Sequence, residues 1–230
     1  MRKFWNWVKN EAGSTLYLDG YIAQDSWFDD DITPKKFKNE LTANEGDIEV
    51  WLNSPGGDVF AASQIYTMLK EYKGMVTVKI DGLAASAASV IAMAGDEIVM
   101  SPVAMMMIHN PATVIFGEAS DLQDGIKMLS EVKEGIINAY EQRTGLPRSK
   151  ISNMMDAETW FSAQKAVELG FADKILYAPE TQAAAEGFIF DRLSVVNAFT
   201  KKLNKEKVKQ DISTMGTPHK DLVARLKLLK

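Results

Sequence analysis

Two serines stand in the small-residue run "GLAASAASVIAMAG" (82–95), where a hydroxyl is either a packing detail or a nucleophile. The chain contains no Cys, which excludes a thiol nucleophile, a disulfide and a Cys-ligated metal and leaves hydroxyls as the candidates. Ser86 follows the apolar run "VTVKI" and the turn "DGLAA", so it is expected at a strand's carboxyl end and the start of a helix. Free N–H groups and the helix dipole favour negative charge there, a good setting for a nucleophile beside an oxyanion site. Small neighbours would also let a substrate backbone come close. They serve tight helix packing equally well. Ser89, one turn further on, is expected to face the core.

The base has few candidates, because His109 and His219 are the only imidazoles. His109 closes the apolar run "AMMMIH" and is the one His inside the expected folded core, which makes it the candidate general base for Ser86. A carboxylate would orient the ring. "MMDAETWFSAQKAVELG" offers Asp156 and Glu158, and spacing does not choose between them. "LNSPGGDV" (52–59) ends a strand in two adjacent glycines and opens a helix. Such a turn can aim N–H groups at a developing oxyanion, or it can simply join strand to helix. The phosphate, dinucleotide, HExxH and GxSxG signatures are all absent. No Asp/Glu/His cluster has metal-ligand spacing, so neither a metal nor an organic cofactor is expected.

The elements that must hold these residues alternate. "STLYLDGYI" (14–22), "DIEVWLNS" (47–54), "MVTVKIDG" (75–82), "EIVMSP" (97–102), "AMMMIHN" (104–110) and "FADKILY" (171–177) read as strands. Helices are expected from Pro34 with Thr33 as N-cap, over 59–72, over 83–95, over 118–145 and over 162–170 between Ser162 and Gly170. Along 118–145 an apolar stripe runs through Leu122, Ile126, Leu129, Val132, Ile136 and Tyr140. Strongly apolar strands alternating with helices argue for an α/β domain whose parallel sheet is covered by helices.

The composition is that of a globular protein, with 46% hydrophobic and 25% charged residues, and there is no apolar run long enough to cross a membrane. The basic N-terminus lacks the apolar core of a signal peptide. Residues 200–230 carry nine Lys/Arg and three Asp/Glu, so the rest of a chain of net charge −5 carries −11. We divide the chain into 1–178, a catalytic domain, and 179–230, a linker and basic helical extension. That extension could bind nucleic acid, dock on a partner or lie solvated on the surface.

Four stretches, in order and at compatible spacing, resemble the proteolytic subunit of Clp protease, a family of serine peptidases with a crotonase-like fold. "LNSPGGDV" is similar to that family's "INSPGG" turn and "GLAASAAS" to its "GxAAS" segment. "MMMIHNP" is similar to its "VMIHxP" segment and "ETWFSAQKAVELGFAD" to its "DxFLSAxEAxxYGLxD" segment. The resemblance covers residues 15–177 and implies a βαβ superhelix with 118–145 as the long handle helix. By the same resemblance Ser86 is the nucleophile, His109 the base, and the N–H groups of Gly57 and Ala87 the oxyanion donors. The family's triad Asp falls on Glu158, one methylene longer, and Asp156 is the alternative carboxylate. An Arg that precedes that Asp and links two rings in the family is Ala157 here.

The implied activity is that of a serine endopeptidase cleaving protein or peptide substrates. It would work as a cytoplasmic homo-oligomer of heptameric rings, single or stacked, without a membrane partner, and the peptidase activity itself calls for no nucleic acid. "WFDDDITPKKFKNEL", the N-terminus and the C-terminal extension look like the phage and prophage branch, often assigned to capsid maturation. A Clp ATPase or phage capsid proteins are therefore the two implied partners. The rivals are a crotonase-type acyl-CoA enzyme using the same Gly-rich turn, a Ser–Lys peptidase, and a non-proteolytic shell or scaffold subunit.

Overall fold

The computed structural model of the chain describes residues 7–10, 13–23 and 34–178. The expected linker and basic extension, and Thr33 as an N-cap, lie outside the described residues.

The core is a sheet that begins with β1 (Trp7–Asn10) and β2 (Gly13–Asp19), paired antiparallel. β1 is an element the sequence reading did not anticipate. β2 then runs parallel to β3 (Ile48–Ser54), which runs parallel to β4 (Val76–Ala85) and onward through β5 (Glu97–Met100) to β8 (Lys174–Ile175). β6 (Met105–Ile108) pairs parallel with the second half of β4, and β7 (Thr159–Ser162) pairs antiparallel with β6. The expected strand over 171–177 shortens to the two residues of β8.

Along β3, residues 48, 50, 52 and 54 point into the core while 49, 51 and 53 point away, the period of two that one buried face requires. The inward set packs under α1 (Pro34–Leu41) and α2 (Val59–Lys70), with Phe37, Leu41, Ile65 and Leu69 closing over it. The outward face was expected to be apolar and helix-covered. Instead it carries Tyr17 stacked on Trp51 at 6.0 Å and a Lys79–Glu49 ion pair at 2.6 Å. The helices therefore cover one face of these strands, and alternating patterning rather than uniform apolarity is what holds them in register.

The largest revision concerns the small-residue run. A helix was expected from 83, but residues 83–85 continue β4, and α3 spans only Ala87–Ala92. The pairing of Leu83, Ala84 and Ala85 with Met105, Met106 and Met107 overrides the high helix propensity of alanine. The register between β3 and β4 shifts between Leu52 and Ser54, and Asn53 accommodates it by accepting the Leu83 N–H at 3.1 Å. This irregularity lets β4 leave β5 and continue beside β6.

The long helix α4 runs Ala119–Thr144, capped by Glu118 and ended by Gly145 in the left-handed conformation. α5 (Arg148–Asp156) folds back on it, and Arg148 joins them by bonding Glu141 and Asn138, both at 2.7 Å, and Glu134. α6 (Ala163–Glu168) begins at Ser162, whose Oγ accepts the Lys165 N–H, as the sequence suggested.

Candidate active site

β4 and β6 are in register at Ala85 and Met107, so the residues just beyond both strand ends come side by side. Ser86 follows β4 and His109 follows β6, and Ser86 Oγ lies 2.7 Å from His109 Nε2. Ser86 holds φ 55° and ψ −126°, a backbone region costly to any residue with a side chain, on the order of 1–3 kcal/mol. Its own N–H donates to the Met107 carbonyl at 2.9 Å, and its hydroxyl caps nothing in α3. The turn between strand and helix therefore presents Oγ to the imidazole rather than to the helix end.

Facing this turn are the paired glycines. Gly56 (φ 101°) sits against Ser86 so closely that a Cβ there would lie 2.7 Å from Ser86 Cβ. A Cβ on Gly57 (φ 148°) would fall 2.0 Å from the Ile22 carbonyl oxygen. No other residue fits either position. Ser54 Oγ accepts the Gly56 N–H at 3.1 Å, the Ile22 N–H donates to the Gly56 carbonyl at 3.0 Å, and the Asp58 N–H donates to Ile22 at 2.8 Å. Asp58 also caps α2 by accepting the Ala61 N–H at 2.7 Å. These bonds occupy the donors on either side of Gly57 and leave its own N–H out. The Ala87 N–H, first in α3, is one of the orphan donors of a helix start.

Gly57, Ser86, Ala87 and His109 line one cavity of about 390 Å³. Its far wall is apolar, built by Val90 and by Met128, Leu129, Val132 and Ile136 of α4. A hydroxyl bonded to an imidazole, with two N–H groups and an apolar recess beside it, is equipped for nucleophilic attack on a carbonyl.

Asp156 ends α5 and Glu158 lies on the turn that follows it, and neither hydrogen-bonds the His109 ring. Asp156 Oδ1 accepts from Lys133 Nζ at 2.6 Å and from Asn110 Nδ2 at 2.8 Å. The Lys133 bond, then the Asn110 bond, hold its carboxyl below the usual carboxylate range. Glu158 has φ 46° and accepts only the Trp160 indole N–H, at 3.3 Å. The register pair Ile108↔Thr159 is the last of the ladder, so His109 and Glu158 each adjoin that pair in the chain, whereas Asp156 is tied to Asn110 by its side chain.

Ser89 is fully buried, as expected, but it does more than pack. Its Oγ lies 2.5 Å from the Ser86 carbonyl oxygen and 2.8 Å from the Tyr140 hydroxyl. Sequence reasoning missed Tyr140 as a polar partner because its position in an apolar stripe reads as core. It also missed the Ser54 bond to the glycine turn, although a Ser two residues before a Gly is a local signal for that bond. Among the described residues no three His, Cys, Asp or Glu side chains are grouped to hold a metal ion, and no helix is long and apolar enough to cross a membrane.

Comparison with known proteins agrees with this architecture. Residues 24–179 match the Clp protease family. The chain is 34% identical over 158 residues to the ATP-dependent Clp protease proteolytic subunit 1 of Protochlamydia amoebophila, covering 67% of this chain and 77% of that one. It is 34% identical over 178 residues to the ATP-dependent Clp protease proteolytic subunit of Porphyromonas gingivalis, covering 74% and 80%. The match to subunit 1 of Chlamydia muridarum is 36% over 143 residues, covering 60% and 74%. An eight-stranded α/β sheet with a long helix is consistent with the fold of that family, and the chain belongs to the Clp protease family of serine-type endopeptidases.

Proposed function

We propose that Ser86 and His109 cleave peptide bonds through an acyl-enzyme. The observation that carries this reading is the 2.7 Å contact between Ser86 Oγ and His109 Nε2 on a strained turn facing a glycine pair. His109 Nε2 takes the hydroxyl proton as Oγ bonds to the substrate carbonyl carbon. The displaced electron pair collects on the carbonyl oxygen, where the N–H groups of Gly57 and Ala87 receive it. His109 then gives its proton to the departing amine nitrogen as the C–N bond breaks, and a water, activated the same way, releases the acid. The apolar recess takes an apolar substrate side chain next to the scissile bond.

For the acid we favour Glu158. Asp156 is already engaged by a lysine and an asparagine, whereas Glu158 has one long bond to an indole and adjoins Thr159, the partner of Ile108 next to His109. Replacing Glu158 by Gln is expected to lower kcat at least tenfold, with a much smaller effect from Asp156→Asn. The reverse ranking would transfer the role to Asp156.

The relatives are proteolytic subunits of ATP-dependent proteases, and we place this chain in the same setting: a ring homo-oligomer fed with protein substrates by a Clp ATPase in the cytoplasm. The apolar side chains Val114, Phe116, Leu122 and Ile126 are exposed on the approach to α4 and its first half, which supports burial against further copies. Ser86→Ala is expected to abolish hydrolysis of a fluorogenic peptide and labelling by a fluorophosphonate. Retained hydrolysis would overturn the assignment, and a wild-type chain that no serine-directed probe labels would point to a scaffold. Degradation of a folded substrate that depends on an added ATPase supports the ATP-dependent role; processing of a capsid protein without one would support the phage reading.

A further inference from the structure

The nucleophile's turn is joined to α4 by a short buried chain of hydroxyls. The Ser86 carbonyl oxygen accepts two bonds from the same residue, the Ser89 N–H at 3.0 Å and the Ser89 hydroxyl at 2.5 Å. A carbonyl oxygen has no proton to give, so Ser89 is the donor in the second bond. Its single hydroxyl proton is thereby committed. The 2.8 Å contact between Ser89 Oγ and the Tyr140 hydroxyl must then run from Tyr140 to Ser89. The order is fixed as Tyr140 O–H to Ser89 O–H to the Ser86 carbonyl.

Tyr140 is built to stay put. It is 1% exposed, and its ring meets Phe171 edge-on at 5.6 Å while Phe171 stacks on Phe161 at 5.0 Å. Burial holds its hydroxyl in the protonated form across the physiological range, so the donor is always present. Ser89 is 0% exposed, so no water competes for its Oγ.

The consequence lies in the peptide plane. The Ser86 carbonyl and the Ala87 N–H belong to one rigid trans amide and point in opposite directions. Holding the oxygen down toward Ser89 holds the N–H up toward the cavity that Ala87 and Ser86 line. The two accepted bonds also polarise the amide and make its N–H a stronger donor. Ser86 needs such a hold, since φ 55° and ψ −126° persist only where surrounding bonds enforce them.

We propose that Tyr140 and Ser89 are positioning residues that aim the Ala87 N–H at the oxyanion. The inference rests on Ser86 being the nucleophile, and it assigns to α4 a part in catalysis that its apolar stripe does not suggest. Neither side chain touches the reacting atoms. Both act through the Ser86–Ala87 peptide.

The test is a double-mutant cycle on the full-length protein with a fluorogenic peptide and a peptide aldehyde, which forms a tetrahedral adduct with its oxygen in the oxyanion position. Ser89→Ala removes the hydroxyl bond to Ser86 and is expected to lower kcat about ten- to a hundredfold with KM within about twofold, since losing an oxyanion donor outright costs about 10²–10³. Tyr140→Phe keeps the ring packing and the Ser89 bond, so a several-fold fall is expected. Added to Ser89→Ala, Tyr140→Phe should cause no further fall, because the relay is already cut. Aldehyde affinity should weaken in step with kcat/KM while the pH midpoint of kcat stays at the wild-type value. Wild-type kcat in both single variants, or losses that multiply in the double variant, would overturn the relay. If Tyr140→Phe does not fold, Ser89→Ala alone decides by whether kcat falls while KM and the pH midpoint hold. Ser86→Ala, run in parallel, separates the two readings. Activity surviving in it removes the nucleophile itself, whereas its loss alongside wild-type kcat in the two relay variants removes only the relay.

Discussion

The two halves of α4 share one apolar stripe and have opposite fates. In the second half Ile136, Ile137, Ala139 and Tyr140 are buried, and the helix walls the cavity and reaches the Ser86 turn. In the first half Leu122 and Ile126, on the same stripe, are 47% and 65% exposed. Only Gly125 is buried there, under Ile115 of the preceding loop. Amphipathic spacing says that a face must be covered; it does not say by what. The second half is covered by this chain's own core. The first half presents the same chemistry to the outside, as a surface made for another copy would.

This contrast can be broken by substitution. Ile137→Ala, a buried large-to-small change, is expected to cost about 2–5 kcal/mol and to lower the thermal midpoint by many degrees. An equal loss from Ile126→Ala would show that the first half is packed within the chain. Leu122→Ser with Ile126→Ser is expected to leave intrachain stability within about 0.5 kcal/mol while shifting the sedimentation profile toward smaller species. An unchanged profile would mean that this face holds no copies together.

The smallest effect belongs to Lys133, midway along the helix, which joins Asp156 beside the active site. Asp156 has its carboxyl depressed by this bond, so the pair's contribution is present above the unfolded value of about 4 and fades as pH falls through the folded one. The thermal midpoint of Lys133→Met should lie slightly below wild type at pH 7, with the gap closing below about pH 4. A gap that widens in acid would have the wrong sign. Both side chains are partly exposed, so added salt should narrow the gap at pH 7.

Particular residues show where reading along the chain succeeds. Ser86 and His109 became candidates because the chain has no Cys and one central imidazole, and because "GLAASAAS" and "MMMIHNP" resemble two segments of one family; the serine's own surroundings read equally well as packing. The caps at Ser162 and Gly145 were equally legible, since capping is decided within one turn of chain. The end of β4 was not. Alanines 84 and 85 favour helix locally, and only the methionines of β6, some 20 residues later, draw them into a strand. β1 escaped notice for a related reason: its pairing partner, not its composition, makes it a strand.

Local chemistry written along the chain thus set which groups are candidates to react, the glycine turn that faces them and the periodicity of the helices. Folding decided what depends on residues far apart in sequence: the 2.7 Å approach of Ser86 to His109, the Tyr140 hydroxyl behind Ser89, and the environment of each carboxylate. Residue type and short spacing report what a side chain can do. Hydrogen bonds work over about 3 Å, so which groups act together is settled only when strand register and helix packing bring them within that distance.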